Sequence, residues 1–366
     1  GRKSIITNGS MNVAQRGTSS AGLGADATTY LLDRWAFGTG GTAGRLTMSQ
    51  DSNGPAGFAN SLKLDCTTAD TSIAAGEQSY LIYKFEGQDL QQLKKGTSSA
   101  ESMTLSFYVK GNAAATYTAE FYDADNNRHN GQTFSVTTSW NKVTLTYVPD
   151  TTGAYNDDNA LSLYLFIWIH TGTTMTSGTF ASNTWSASAN NTRVSSSNTS
   201  FFDSTARTLN ITGVQLELGS VATDFEHRSH VEELTLCQRY FYNVFYNNTD
   251  RATYPISFEQ ASGNSGWITF SVPFAVPMRV AASFTHSLAN SKILAAAAPS
   301  TGQDKFSFYI QNQGYRNMAG NGNMSNLSSV GCRFEGVVGT YYCSPDAHAS
   351  HIFIGSGCTF QFDAEL

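Results

Sequence analysis

The side chains with the clearest chemistry fall into spacings that stop short of a site. Asp123-x-Asp125-x-Asn127 copies the first three ligand positions of a calcium loop. Arg128 stands where that loop needs glycine, and Phe134 where it needs a bidentate glutamate, so a polar hairpin tip is the plainer reading. His348 and His351, with Cys343 and Cys358 nearby, offer zinc donors but no Cys-x-x-Cys half, and ordinary loop residues fit better. Glu217, Glu226, Asp123, Asp125, Asp157 and Asp158 are carboxylates with no pairing that marks glycoside hydrolysis. Asp157-Asp158 lies in a turn-like run and should be solvated. His129, His170, His227, His230 and His286 are isolated and expected to be structural or exposed. No Gly-x-Ser-x-Gly elbow or P-loop occurs, and Gly38 and Gly40 are followed by Ala43 where a dinucleotide fingerprint needs a third glycine. No catalytic residue, metal ligand or cofactor is therefore assigned, and the chain is expected not to be an enzyme.

Aromatic side chains are the better lead. Sugar rings stack their C–H faces on Trp and Tyr, and neutral amides and hydroxyls then read the sugar hydroxyls. Tyr164 and Trp168 share one face of a strand, Trp185 sits in a polar loop, and Tyr315 and Arg316 sit in a loop rich in Gly and Asn. These five are the candidate glycan-binding residues. Core packing is the competing reading for the strand pair, because large aromatics are mostly buried.

The elements that must position them are strands. Met103, Leu105, Phe107 and Val109 alternate with polar residues, as do Tyr117, Ala119 and Phe121, and then Val143, Leu145 and Tyr147. Turn residues from Asp123 to Gly131 join two of these segments. Leu161 to Ile169 is apolar on both faces, as expected of a strand buried between layers or lining a ligand groove. The alternation slips at Gly213, between Ile211 and Val214, which predicts a bulge. Thr171 to Ser200 is too long for a hairpin loop and predicts an elaborated or weakly ordered excursion. Ser229 and Glu232 fit a capping box, and Val231, Leu234, Cys237 and Phe241 follow at helical spacing, predicting one helix from Val231 to about Phe245. Beyond it, strands are expected at Trp267 to Phe274, Val280 to Phe284, Phe306 to Ile310, Arg333 to Val338 and Cys358 to Asp363. The fold class is thus all-β: a β-sandwich or jelly roll over residues 1–228, a linking α-helix over 229–246, and a second, C-terminal β-sandwich domain over 247–366.

Composition narrows the function classes. Only 14% of the 366 residues are charged, and the net charge is −6. A charge fraction that low suits a neutral surface rich in Ser, Thr, Asn and Gly. With no basic stripe, nucleic-acid binding has no support. No apolar run is long enough for a membrane-spanning helix. Five scattered cysteines do not describe a disulfide framework, so buried thiols are expected, with a bridge among Cys332, Cys343 and Cys358 of the strand-rich C-terminal segment as the alternative. The chain opens at Gly1 without an initiator Met or apolar leader, as a piece cut from a longer protein would.

Several segments carry a resemblance. Asn8-Gly9-Ser10-Met11, Ala14-Gln15-Arg16-Gly17-Thr18 and Leu32-Asp33-Arg34-Trp35 come first. Ile211 to Ser220, Thr223 to Ser229 and Glu232 to Tyr240 follow, then Val272-Pro273-Phe274, Pro277-Met278-Arg279 and Asp363-Ala364-Glu365-Leu366. In this order they resemble bacteriophage tail-fibre and virion receptor-binding proteins of podoviruses, whose first domain is similar to jelly-roll carbohydrate-binding modules. The resemblance implies a virion appendage, attachment to bacterial surface polysaccharide or lipopolysaccharide, contact with other virion proteins and assembly as a homotrimer. It also implies a structural calcium whose ligands the sequence does not name. A structural virion part without a ligand (a head fibre, capsid decoration or tail connector) is the alternative, followed by a glycan depolymerase and by a cellular adhesin.

Overall fold

A computed structural model of the chain describes residues 3–243 and, beyond them, 252–260, 266–281, 283–287, 307–310, 314–317, 323–325, 331–338, 349–354 and 359–366. Side chains are described for 3–243, 274–281, 283 and 361–366. The chain divides into two compact units, Gly1–Cys237 with Leu366, and Gln238–Glu365.

The first unit contains β1 (Ser19–Leu23), β2 (Thr28–Tyr30), β3 (Ala36–Gly40), β4 (Arg45–Asp51), β5 (Ser61–Thr68) and β6 (Gln78–Glu86). After these come β7 (Met103–Gly111), β8 (Ala115–Asp123), β9 (Arg128–Val136), β10 (Asn141–Tyr147) and β11 (Leu161–Thr171). A short turn of helix, α1 (Thr173–Thr176), then β12 (Ser186–Ala187), β13 (Thr208–Leu218) and α2 (His230–Gln238) complete it. One sheet runs β1-β4-β5-β13-β7-β10 and the other β12-β9-β8-β11-β6-β3-β2, all antiparallel. Chain neighbours are repeatedly split between the sheets, the crossover pattern of a jelly-roll sandwich.

Period-2 alternation places the core. Phe107, Leu105 and Leu216 from the first sheet meet Phe121, Leu165 and Phe85 from the second, all at most 2% exposed. Tyr147 is fully buried, and its hydroxyl donates to the Ala119 carbonyl at 3.0 Å, which removes the cost of burying it. The expected phase slip is present: register shifts between Thr212 and Gln215, and Gly213 has φ +62°. A Cβ there would lie 2.7 Å from the Phe58 ring, so both backbone and packing require glycine.

Five of the resemblance-bearing segments, Asn8–Met11, Leu32–Trp35, Ile211–Ser220, Thr223–Ser229 and Glu232–Tyr240, meet through hydrogen bonds in this unit. Asn8, at φ +56°, donates from Nδ2 to the carbonyls of Val13 and Asp33 and accepts from the Val13 N–H. Trp35 Nε1 donates to the Asn8 carbonyl, and the Val214 N–H donates to Gly9. A Cβ on Gly9 would sit 2.0 Å from the Val214 carbonyl oxygen. Glu233 closes the junction by accepting from the Asn8 N–H and from Arg228. These residues hold chain segments together.

α2 starts as expected, with the Ser229 hydroxyl accepting from the Glu232 N–H at 3.3 Å. It ends at Gln238, well before Phe245, because Phe241–Asn243 becomes β14 and pairs with β23. The aromatic run Tyr240-Phe241-Tyr242 favours a strand once a partner edge is available. Val231, expected on the packed face, is 73% exposed, and buried Glu233 anchors the helix instead. Polar contacts outweigh the apolar spacing here.

The second unit holds β14 (Phe241–Asn243), β15 (Ala252–Gln260), β16 (Gly266–Pro273), β17 (Ser283–Ser287), β18 (Ser307–Ile310) and β19 (Gly314–Asn317). It continues with β20 (Asn323–Ser325), β21 (Gly331–Val338), β22 (Ala349–Ile354) and β23 (Thr359–Asp363). They form sheets in the orders β14-β23-β17 and β19-β18-β22-β15-β16-β21-β20. The strand expected at Val280 lies later, at Ser283, because the stretch around Pro277 is bent. The chain is therefore all-β with a helix between its two strand-built parts. No described helix is long and apolar enough to cross a membrane.

Candidate functional site: an aromatic groove

β11 carries the site because both of its faces are apolar for different reasons. Leu163, Leu165, Ile167 and Ile169 enter the sandwich core, while Tyr164, Phe166 and Trp168 lie on the outer face of the second sheet. Strand register extends that face into rungs. Tyr164 pairs with Tyr122 of β8 and Lys84 of β6. Phe166 pairs with Glu120 and Ile82, and Trp168 with Thr118 and Tyr80.

The rings form a ladder along β11. Tyr164 and Phe166 stack at 5.2 Å and 20°, and Phe166 and Trp168 at 5.2 Å and 27°. Tyr80 meets Phe166 edge-on at 4.9 Å, and Tyr122 lies 5.9 Å from Tyr164. The ladder is uncovered toward Tyr164, where Tyr80, Tyr122 and Tyr164 are only half-buried. There a depression of about 300 Å³ opens over these three tyrosines, with Lys84 and Arg193 at its sides. Burial raises the Tyr80 and Tyr164 phenols above their ordinary range, so they are neutral hydrogen-bond donors at physiological pH.

Arg193 comes from the 171–200 excursion, which is an elaborated loop with elements of its own. α1 and β12 lie within it, and the Gly178 N–H donates to the Asn191 carbonyl at 2.7 Å. The guanidinium lies 4.7 Å above the Tyr122 ring, 5.1 Å above Phe166 and 5.2 Å above Trp168. Arg193 Nε and Nη2 donate to the two oxygens of Glu120 at 2.8 and 2.9 Å, and Trp168 Nε1 donates to Glu120 at 2.8 Å. Desolvation alone would raise the fully buried Glu120 carboxyl. The charge of Arg193 and its two hydrogen bonds, with His129 Nδ1 3.2 Å from the carboxylate, outweigh it and hold the carboxyl below its ordinary value.

The five residues singled out in the sequence separate. Tyr164 lines the groove. Trp168 is on the same face but only 1% exposed, beneath Arg193. Trp185 packs against the core on the β9–β10 side, with Nε1 donating to the Val148 carbonyl at 2.8 Å and Lys95 5.9 Å from its ring. Tyr315 and Arg316 belong to β19, not to a loop, because residues 314–317 pair with β18; their side chains lie outside the described residues. Asp123 and Asp125 do form a hairpin tip: Asp123 accepts from Asn126, and Asp125 from Asn156. Cys66 and Cys237 are buried thiols. The side chains of His348, His351, Cys343 and Cys358 lie outside the described residues.

Tyr80, Tyr122, Lys84 and Arg193 were not anticipated. Three of them had a signal: β6 and β8 place Tyr80, Lys84 and Tyr122 opposite the core-facing Leu81, Tyr83 and Phe121. Nothing local marks Arg193. Gly38 is a further requirement, since a Cβ there would lie 2.3 Å from the Tyr80 ring. Gly38→Ala should displace Tyr80 and cost about 1–3 kcal/mol, read from the urea unfolding midpoint of the full chain. An unchanged midpoint together with an unmoved Tyr80 ring would show that the approach is not required.

Fold and groove together define a β-sandwich protein with an open aromatic face on one sheet. No protein-family model matches the chain, and no curated protein matches it in sequence. Among solved structures, a CBM4 structure is similar at a TM-score of 0.31 and 12% identity, covering 58% of this chain and 99% of that one. A family 11 carbohydrate-binding module from Clostridium thermocellum, in complex with a β-1,3-1,4-mixed-linked tetrasaccharide, has a TM-score of 0.27 and 13% identity over 57% of this chain and 98% of its own. The enzymatically active domain of tailspike protein 4 of bacteriophage CBA120 has a TM-score of 0.28 and 15% identity over 59% of this chain and 21% of its own.

Proposed function

We propose that the first unit binds a glycan in the groove of its second sheet, and that the chain is a non-catalytic attachment component of a phage virion. The observation that carries this is the half-buried set Tyr80, Tyr122 and Tyr164, converging on one depression with polar groups at its rim. Large aromatics left open on a sheet face supply stacking surface for sugar C–H faces. The Tyr80 and Tyr164 phenols and the neighbouring cations supply donors for sugar oxygens. Binding at one such site can be weak, and presentation in several copies, as in a homotrimer, supplies avidity. The virion location, the contact with other virion proteins and the bacterial surface polysaccharide or lipopolysaccharide as ligand follow from the sequence resemblance. A ligandless structural virion part is the alternative.

Binding of the fluorescently labelled full chain to candidate host cells, with intact phage as competitor, tests this. Saturable staining that phage displaces, and that removal of surface polysaccharide abolishes, is expected. Tyr164→Ala should weaken it about tenfold or more, because losing an aromatic anchor typically costs over 1 kcal/mol. The variant should stay folded, losing about 1–2 kcal/mol for the half-buried ring that stacks on Phe166. Absence of displaceable staining by an assembled oligomer on susceptible hosts would leave only the structural reading.

A further inference from the structure

A second cluster lies at another point of the first unit and has no part in the groove's contacts. Asp70 sits in the loop between β5 and β6, Glu77 just before β6, and His170 near the end of β11. They are 6%, 5% and 0% exposed. One donor atom from each lies within 4.8 Å of the others, and His170 Nε2 is 2.9 Å from Glu77 Oε2.

Each of the three is oriented from outside the cluster. Asp70 Oδ2 accepts from Thr42 Oγ1 at 2.8 Å and the Ala43 N–H at 2.7 Å, and its Oδ1 accepts from the Ser72 N–H at 3.3 Å. Glu77 Oε1 accepts from the Ala74 N–H at 2.9 Å. His170 Nδ1 is hydrogen-bonded to Ser200 Oγ at 2.8 Å. Metal-binding histidines and carboxylates characteristically have such outer partners, which fix the ring tautomer and aim the remaining oxygens.

The charge balance distinguishes this cluster from the ion pairs elsewhere in the unit. Glu120 has Arg193, and Asp123 and Asp150 have Lys95. Among the described residues no Lys or Arg makes an ion pair with Asp70 or Glu77; the single imidazole is their shared counter-group. Buried charges are stable when paired or metal-bound, and one imidazole cannot neutralise two carboxylates.

We infer that Asp70, Glu77 and His170 form a site for a divalent cation of the Zn²⁺ class, with water completing the coordination. Calcium and magnesium prefer all-oxygen sites, whereas one imidazole nitrogen with two carboxylate oxygens suits zinc. Metal–ligand bonds of about 2.0–2.1 Å in a tetrahedron put donors roughly 3.3 Å apart. The His170–Glu77 contact at 2.9 Å would open slightly, and donors spaced up to 4.8 Å would close around the ion. On binding, Nε2 of a neutral imidazole would face the ion, the proton shared between Nε2 and Glu77 would leave to solvent, and Nδ1–H would stay on the ring as a donor to Ser200 Oγ. The ion would tie the β5–β6 loop to the end of β11. Through Ser200, which also accepts from the Phe202 N–H, it would tie both to the returning end of the excursion that carries Arg193.

The test is titration of chelator-stripped full chain with Zn²⁺ against a chromophoric chelator, with Ca²⁺ as a parallel arm. One Zn²⁺ per chain, proton release and a raised Tm are expected. His170→Gln should abolish binding. Asp70→Asn, which keeps an acceptor for Thr42 and Ala43, should weaken it at least tenfold in a folded protein. No stoichiometric Zn²⁺, stoichiometric Ca²⁺ in its place, or Zn²⁺ binding that folded Asp70→Asn leaves unchanged would each overturn the assignment.

Discussion

Replacing Lys95 with methionine is expected to destabilise the protein by about 3–5 kcal/mol, because it strands the buried Asp123 and takes one of two cations from Asp150. The ammonium lies 2.6 Å from Asp123 Oδ2 and 3.2 Å from Asp150 Oδ2, with all three side chains at most 4% exposed. It also donates to the Thr152 and Gly153 carbonyls at 2.7 Å each and lies 5.1 Å from the Tyr155 ring. Methionine fills the stem volume and supplies none of these contacts. Asp150 retains Arg128, at 2.8 Å, so Asp123 should carry most of the loss. The check is equilibrium urea unfolding of the full chain beside the double variant Lys95→Met with Asp123→Asn. The double variant should recover part of the stability, since the worst stranded charge is gone. A single variant within 1 kcal/mol of the parent would mean that the network is wetter than its burial indicates.

This network explains why Trp185 proved hard to place from sequence. A tryptophan in a Ser/Thr/Asn-rich stretch has the composition of an exposed recognition loop. Its position is set by Lys95 and by the Val148 carbonyl, groups distant in the chain. The bulge at Gly213 was legible because a slip in alternation is recorded in adjacent residues. So was the double-faced character of β11. Its openness at Tyr164 and closure at Trp168 were not, because the cover over Trp168 arrives from Arg193, beyond the end of the strand. The cluster of Asp70, Glu77 and His170 was hidden for the same reason: no two of its members are neighbours at a recognisable metal-ligand spacing. Local pattern fixes strands, faces and bulges. Long excursions decide which faces stay open.

Arg193→Met is expected to lose about 3–5 kcal/mol near neutral pH, and most of that loss should disappear in acid. The variant leaves Glu120 fully buried with only His129 and the Trp168 indole as partners. In the parent, the Glu120 carboxyl is held below its ordinary value of 4.5, so its folded pKa lies below its unfolded one. A group shifted in that direction contributes stability that is fully present above the unfolded pKa and is lost as pH falls through the folded pKa. In the variant, desolvation is no longer opposed by the arginine and pushes Glu120 upward; it takes a proton at higher pH and stops being a buried charge. Parent and variant should therefore differ most near pH 7 and converge as pH falls below the carboxylate range, which paired urea titrations would reveal. Glu120→Gln with Arg193→Met should flatten this dependence. A gap that is the same at neutral and acid pH would assign the loss to packing of the guanidinium on Tyr122, Phe166 and Trp168. The groove would then depend on Arg193 as a covering surface, with Glu120 incidental to it.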